Sequence, residues 1–269
     1  LNQRVERVLD LIIRSNVTLQ QEKIIYDKEK HHEFARQVAA ESIVLLKNKD
    51  DILPLSPTTK IGLIGEFAVS PRYQGSGSSL INPTKITSAY NALQELIGDE
   101  FFYAQGYHSN EDILNEQLIE EAVSVASTVD TVILMIGLTD VFESEGFDRE
   151  HLEIPTTHTV LLNRLLEVNK NIIVCLSNGS PIEMPWKDNV PAILEQYLGG
   201  QASGGALIDV LFGTVNPSGK LAETFPNNLN EFPSNNQFPG LPRQVEYREG
   251  LYVGYRYYDS VDINPLFPF

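Results

Sequence analysis

The sequence predicts an α/β fold: a three-layer α/β/α sandwich with a mostly parallel sheet, preceded by linker helices. Three observations carry that expectation. From residue 60 onward, short β-branched apolar runs alternate with stretches of helical periodicity, the pattern of a sheet with helices laid on its faces. The apolar runs are continuous rather than alternating with polar residues, as expected of strands buried on both sides. With 42% hydrophobic residues in 269, there is ample material for a sizeable core.

Residues 1–15 place Leu1, Val5, Val8, Leu9 and Ile12 at helical spacing, predicting a short amphipathic helix. A chain that opens on such a helix without methionine is expected to be part of something longer. Residues 16–30 carry no firm pattern. Residues 33–46 predict a second helix, with Phe34, Val38, Ala39, Ile43 and Leu46 on one face, ended by the polar run 47–51. Strands follow at 60–65, 131–136, 171–176 and 192–197, with a shorter one at 101–104. Helices are predicted near 88–97, 115–127, 157–168 and 202–212. After Gly213 the composition turns to Asn, Pro, Gly and aromatics, and residues 226–269 read as an extended, aromatic-rich segment packing on the sandwich domain of residues 41–225.

Composition narrows the function. Thirty-six acidic against twenty basic residues give a formal charge of −16, which phosphate backbones and anionic lipid would repel, so neither nucleic acid nor membrane is an expected partner. The single cysteine, Cys175, lies inside an apolar run and is expected to pack as a small hydrophobe. No stretch approaches the roughly 18 apolar residues of a membrane span, and the N-terminus lacks an apolar signal core. A soluble, cytoplasmic protein is therefore expected.

In an open parallel sheet, ligands bind where loops leave the carboxyl ends of the strands. The first such loop contains Gln74-Gly-Ser-Gly-Ser-Ser79, whose glycines permit close approach and whose hydroxyls can donate or accept. It fits a phosphate cradle poorly, because Leu80 stands where a third glycine would be and Pro83 stops an immediate helix. A flexible surface loop is the simpler alternative. The second contains Phe142-Glu-Ser-Glu-Gly-Phe-Asp-Arg-Glu150, four carboxylates and an arginine. Crowding would raise one carboxyl pKa while Arg149 holds another ionised, and Glu143 and Glu145 would share a face if the segment is extended. A solvated acidic loop is the alternative here. No nucleophile-elbow serine and no metal-ligating His pair appears, so a serine hydrolase and a metal site are disfavoured. Trp186 follows Pro185 and reads as a packing residue before a sugar platform.

Several segments match one family in order: 39–48 with Leu53-Pro-Leu55, the Gly-Ser loop, Glu145-Gly-Phe-Asp-Arg149 with Leu152-Glu-Ile-Pro155, Asn178-Gly-Ser-Pro-Ile-Glu183, 213–221 and 250–258. Together they resemble the second domain of family 3 glycoside hydrolases of the β-glucosidase type. The resemblance implies a retaining β-glycosidase acting on terminal β-D-glucosyl residues of glucosides or short oligosaccharides, with no cofactor. Glu145 would be the general acid/base, its pKa expected to be raised by the neighbouring Glu143 and Asp148, and Ser78, with Gly77, would lie at the sugar. It implies equally that the aspartate nucleophile, in a Ser-Asp-Trp segment that this sequence lacks, comes in cis from an N-terminal (β/α)8 barrel. Residues 1–40 would then be the helical linker leaving that barrel, and the chain alone is expected to be inactive. A face prepared for a barrel leaves apolar surface, so a homo-oligomer is a further expected assembly. The competing expectation is a non-catalytic sugar- or nucleotide-binding α/β module.

Overall fold

The computed structural model describes residues 1–23, 25–238, 240 and 244–269. They form two compact units, Leu1–His31 and His32–Phe269. In the first, helix α1 (Asn2–Leu19) runs past the predicted end at residue 15 and buries none of its side chains. Helix α2 (Lys28–Ser42) begins in the first unit and carries the chain into the second.

The second unit is built on six strands: β1 (Val44–Asn48), β2 (Ile61–Ile64), β3 (Phe101–Ala104), β4 (Thr131–Gly137), β5 (Ile172–Ser177) and β6 (Ala192–Glu195). Their order across the sheet is β1-β6-β5-β4-β2-β3, with every pairing parallel except β1 with β6. The sequence reading made residues 43–46 the end of a helix. Instead α2 stops at Ser42 and β1 starts two residues later. The run Ile43-Val-Leu-Leu46 suits either state. Tertiary pairing decides, because without Val44↔Glu195 and Leu45↔Leu194 the outer edge of β6 would be left unpaired.

Between the strands lie α3 (Ala89–Ile97), α4 (Glu116–Ala126), α5 (Thr156–Val168) and α6 (Ser203–Leu211). The starts of α3, α4 and α5 have identifiable causes. Ser88 accepts from Asn91 N–H at 3.1 Å to cap α3, and Asn115 accepts from Leu118 N–H at 3.3 Å to cap α4. α5 begins after Pro155, with no cap of its own, so Asp112 reaches over to take the Thr156 and Thr157 N–H groups at 2.9 and 2.8 Å. α3 packs on α6 and α4 on α5. Since β2–α3–β3 steps one way across the sheet and the connections through α4 and α5 step the other way, right-handed crossovers put these pairs on opposite faces. β2, β4, β5 and β6 are buried along their whole length, as continuous apolar strands require. Cys175 is fully buried and free, and Trp186 belongs to the same core.

The C-terminal segment has more local order than its composition suggests. Tyr255–Ser260 forms a short helix, α7, with Tyr258 buried. Phe225 and Phe267 pair as an antiparallel bridge, while Leu251 and Tyr247 remain almost fully exposed.

Candidate functional site

The chain enters the parallel part of the sheet at β2, moves outward to β3, then returns across β2 to β4 and continues the opposite way. The reversal opens a crevice between the carboxyl ends of β2 and β4, the usual ligand position in such sheets. The Gly-Ser loop follows β2 and the acidic loop follows β4, so both predicted segments leave the sheet on either side of this reversal.

They meet. The Ser78 N–H donates to Glu145 Oε2 at 2.5 Å, and the Ser78 hydroxyl also reaches that carboxylate. Gly77, at φ +87°, lies against the same side chain, and a Cβ there would stand 2.4 Å from Glu145 Oε2. Only glycine fits both the backbone angle and the space. The Gly-Ser loop is a defined structure, since Gln74 closes it by donating to the Ile81 carbonyl at 3.2 Å and accepting from its N–H at 3.0 Å. The three predicted site residues, Gly77, Ser78 and Glu145, are therefore in mutual contact.

The acidic loop is turned, not extended, so Glu143 and Glu145 do not share a face. Both Phe142 and Glu143 donate their N–H to the Thr139 carbonyl, at 2.9 and 3.0 Å, which folds the loop back as it leaves β4. Glu143 turns inward. Its Oε2 accepts from Arg72 Nη1 at 2.7 Å and from Gly179 N–H at 2.9 Å, and its Oε1 accepts from the Ser180 hydroxyl. Burial alone would raise its pKa, but these donors reverse the effect and hold it below the usual carboxylate range. Arg149, which the sequence reading paired with a carboxylate, donates instead to Ser180 Oγ at 2.8 Å and the Pro181 carbonyl at 2.9 Å.

Glu145 is exposed, and the Ser78 hydroxyl and N–H lower its pKa. This corrects the expectation of a raised value. Crowding by Glu143 has no part in the shift, which comes from the Ser78 hydroxyl and N–H against a smaller opposing effect of burial.

Beneath the loop, Glu195 at the end of β6 is completely buried. Burial drives its pKa well above the ordinary range, against the lowering effect of the Tyr197 N–H and the Asn178 amide, each 2.7 Å away. Sequence reasoning singled out neither Arg72 nor Glu195. Arg72 lay within the first rim loop, but nothing local marked it, since its partners are 68 and 71 residues away.

A cleft of about 640 Å³ opens beside the tip of the acidic loop, lined by Phe147, Asp148, Arg149, Phe232 and Phe238 among others. Among the described residues, no group of three or more His, Cys, Asp or Glu side chains is arranged to hold a metal, and no helix is long and apolar enough to cross a membrane.

Residues 43–255 match the family model described as the glycosyl hydrolase family 3 C-terminal domain. The chain belongs to this family. All of it aligns at 54% identity with thermostable β-glucosidase B of Acetivibrio thermocellus, covering 36% of that protein. Over 97% of the chain it is 43% identical to an exo-α-(1→6)-L-arabinopyranosidase of Bifidobacterium breve, again covering 36% of the relative. The crystal structure of a family 3 β-glucosidase from Bifidobacterium adolescentis superposes with a TM-score of 0.91 at 46% identity, over 97% of this chain and 38% of that one. The chain thus spans little more than a third of the length of these relatives.

Proposed function

We propose that this domain supplies the general acid/base of a retaining β-glycosidase, acting on terminal β-glucosyl residues, and that Glu145 is that group. The observation that carries the reading is the contact of Glu145 with Ser78 and Gly77, between the loops that follow β4 and β2. Two loops 67 residues apart converge there on one exposed carboxylate. A retaining mechanism needs two carboxyl groups about 5 to 5.5 Å apart across the scissile bond. Glu145 would be one, and the nucleophile would come from a region of the kind that fills the remaining length of the relatives.

In the first step Glu145 would protonate the departing oxygen. In the second, as carboxylate, it would take a proton from the water that releases the glycosyl-enzyme. Alone in this chain it is held ionised by Ser78. Excluding water and placing a second carboxylate nearby would both raise its pKa toward the proton-donating range. Ser78 would exchange its contact with Glu145 for one with the sugar.

The test uses the longer protein containing this domain. Glu145→Ala should slow hydrolysis of disaccharides by about 10²–10⁴, and dinitrophenyl glycosides much less, because their leaving group needs no proton. Azide should restore turnover by forming a β-glycosyl azide. Equal losses on both substrates without azide rescue would remove Glu145 from this role. Turnover by the 269-residue chain on its own that survives Glu145→Ala would overturn the shared-site reading altogether.

A further inference from the structure

Between Glu143 and Arg149 the acidic loop makes a tip anchored by the contact of Glu145 with Ser78. Its two shoulders are fixed far more heavily. At the first, Arg72, with a side chain only 5% exposed, grips Glu143 twice, through the carboxylate and through the backbone carbonyl at 2.9 Å. The same guanidinium reaches Asp140 at 3.3 Å. Gly179 and Ser180, from the loop after β5, complete the shell around the Glu143 carboxylate. A Cβ on Gly179 would stand 3.2 Å from both carboxylate oxygens, so the loops are in close contact. At the second shoulder, Arg149 ties down onto the same Ser180. Ser180 in turn rests on Asn178, whose amide bridges the Ser180 carbonyl and the buried Glu195 of β6.

We propose that Glu143 is the positioning residue of this site: clamped by Arg72 and Ser180, it fixes the backbone two residues before Glu145 and so sets where that carboxylate meets Ser78. Glu143 has no access to a reacting atom, because its oxygens are occupied by Arg72, Gly179 and Ser180. The catalytic meaning of the inference rests on the reading of Glu145 given above. Its structural content does not.

The experiment therefore reads Ser78 directly in the 269-residue chain, by following its amide signal in nitrogen-15 spectra. Ser78 is an exposed residue whose N–H bonds Glu145, so the solvent exchange and pH response of that amide report on the contact. In Glu143→Gln and in the milder Ser180→Ala, the spectrum as a whole should persist. Protection of the Ser78 amide should fall about tenfold, as expected when a local contact opens without global unfolding. Its titration midpoint should rise toward the ordinary carboxylate value as the Ser78 donors are lost. A purely structural role would lower the melting temperature and leave the Ser78 amide unmoved. Unchanged exchange and titration in both variants would overturn the proposal. If Glu143→Gln does not fold, Ser180→Ala, which removes one hydroxyl, decides alone. In the longer protein Glu143→Gln should lower kcat and shift its acidic limb, with KM little changed. Should Glu145→Ala fail its own test, the Ser78 signal would still decide whether Glu143 places Glu145.

Discussion

Glu143 and Glu145 stand two residues apart in one loop and live under opposite physics. The first is turned into the domain, met by an arginine, a hydroxyl and a backbone N–H, and is part of what holds three loops together. The second faces solvent and bonds the turn at Ser78. Both pKa values are lowered, but for Glu143 the donors must overcome burial, whereas for Glu145 the Ser78 contact acts almost unopposed. The contrast separates anchoring from chemistry. A carboxylate already saturated with donors cannot exchange a proton with a substrate, and an exposed one can.

The contrast is broken most severely at Arg72. Removing it would strand the Glu143 charge in a mostly buried setting, so Arg72→Ala should cost about 3 kcal/mol of stability, read as a lower midpoint in urea. Glu145→Ala should leave that midpoint where it is, and equal destabilisation by the two changes would erase the distinction.

At the tip, Gly77→Ala places a Cβ 2.4 Å from Glu145 Oε2, inside contact distance. The carboxylate must move, and displacing a reacting group by about 1 Å can cost on the order of 10²-fold in rate. The longer protein should show this in kcat/KM, with the domain's melting temperature changed much less than by Arg72→Ala.

Stability against pH sharpens the comparison further. The Glu143 pKa is lowered on folding, so its contribution is present above the unfolded value of about 4.3 and is lost as the pH falls through the folded value. The Glu195 pKa is raised, so its contribution is complete below that unfolded value and is lost as the pH rises through the folded one. Glu143→Gln should therefore flatten the acid side of the stability profile, and Glu195→Gln the neutral side. Thermal melts from pH 3 to 8 would read both, and slopes of the reverse sign would contradict the assigned surroundings.

The smallest effect belongs to Ser78. Losing one hydroxyl hydrogen bond should change kcat/KM only a few-fold, with the fold intact. Unaltered kinetics in Ser78→Ala would make the Gly-Ser loop a spacer for Glu145 and nothing more.

Much of this was legible in the chain. The buried strands declare themselves because Ile61–Ile64, Thr131–Gly137 and Ile172–Ser177 are continuous apolar runs, a pattern local enough to read directly. The ambiguous run Ile43–Leu46 was misjudged, since its apolar residues fit a helix face as well as a strand, and only the open edge of β6 chooses between them. Glu145, Ser78 and Gly77 were picked out by motif. The raised pKa expected for Glu145 was not found, because linear proximity to Glu143 and Asp148 says nothing about which way each side chain turns.

The sequence by itself determined the parallel strands and the helices between them, the acidity of the body and the identity of the two loops, because periodicity, composition and motif are properties of neighbours along the chain. Only the tertiary structure decided the strand order β1-β6-β5-β4-β2-β3, and with it the meeting of loops 67 residues apart. It decided the Arg72–Glu143 clamp as well, because a buried charge takes whichever partner the fold brings within reach, and no local pattern records that choice.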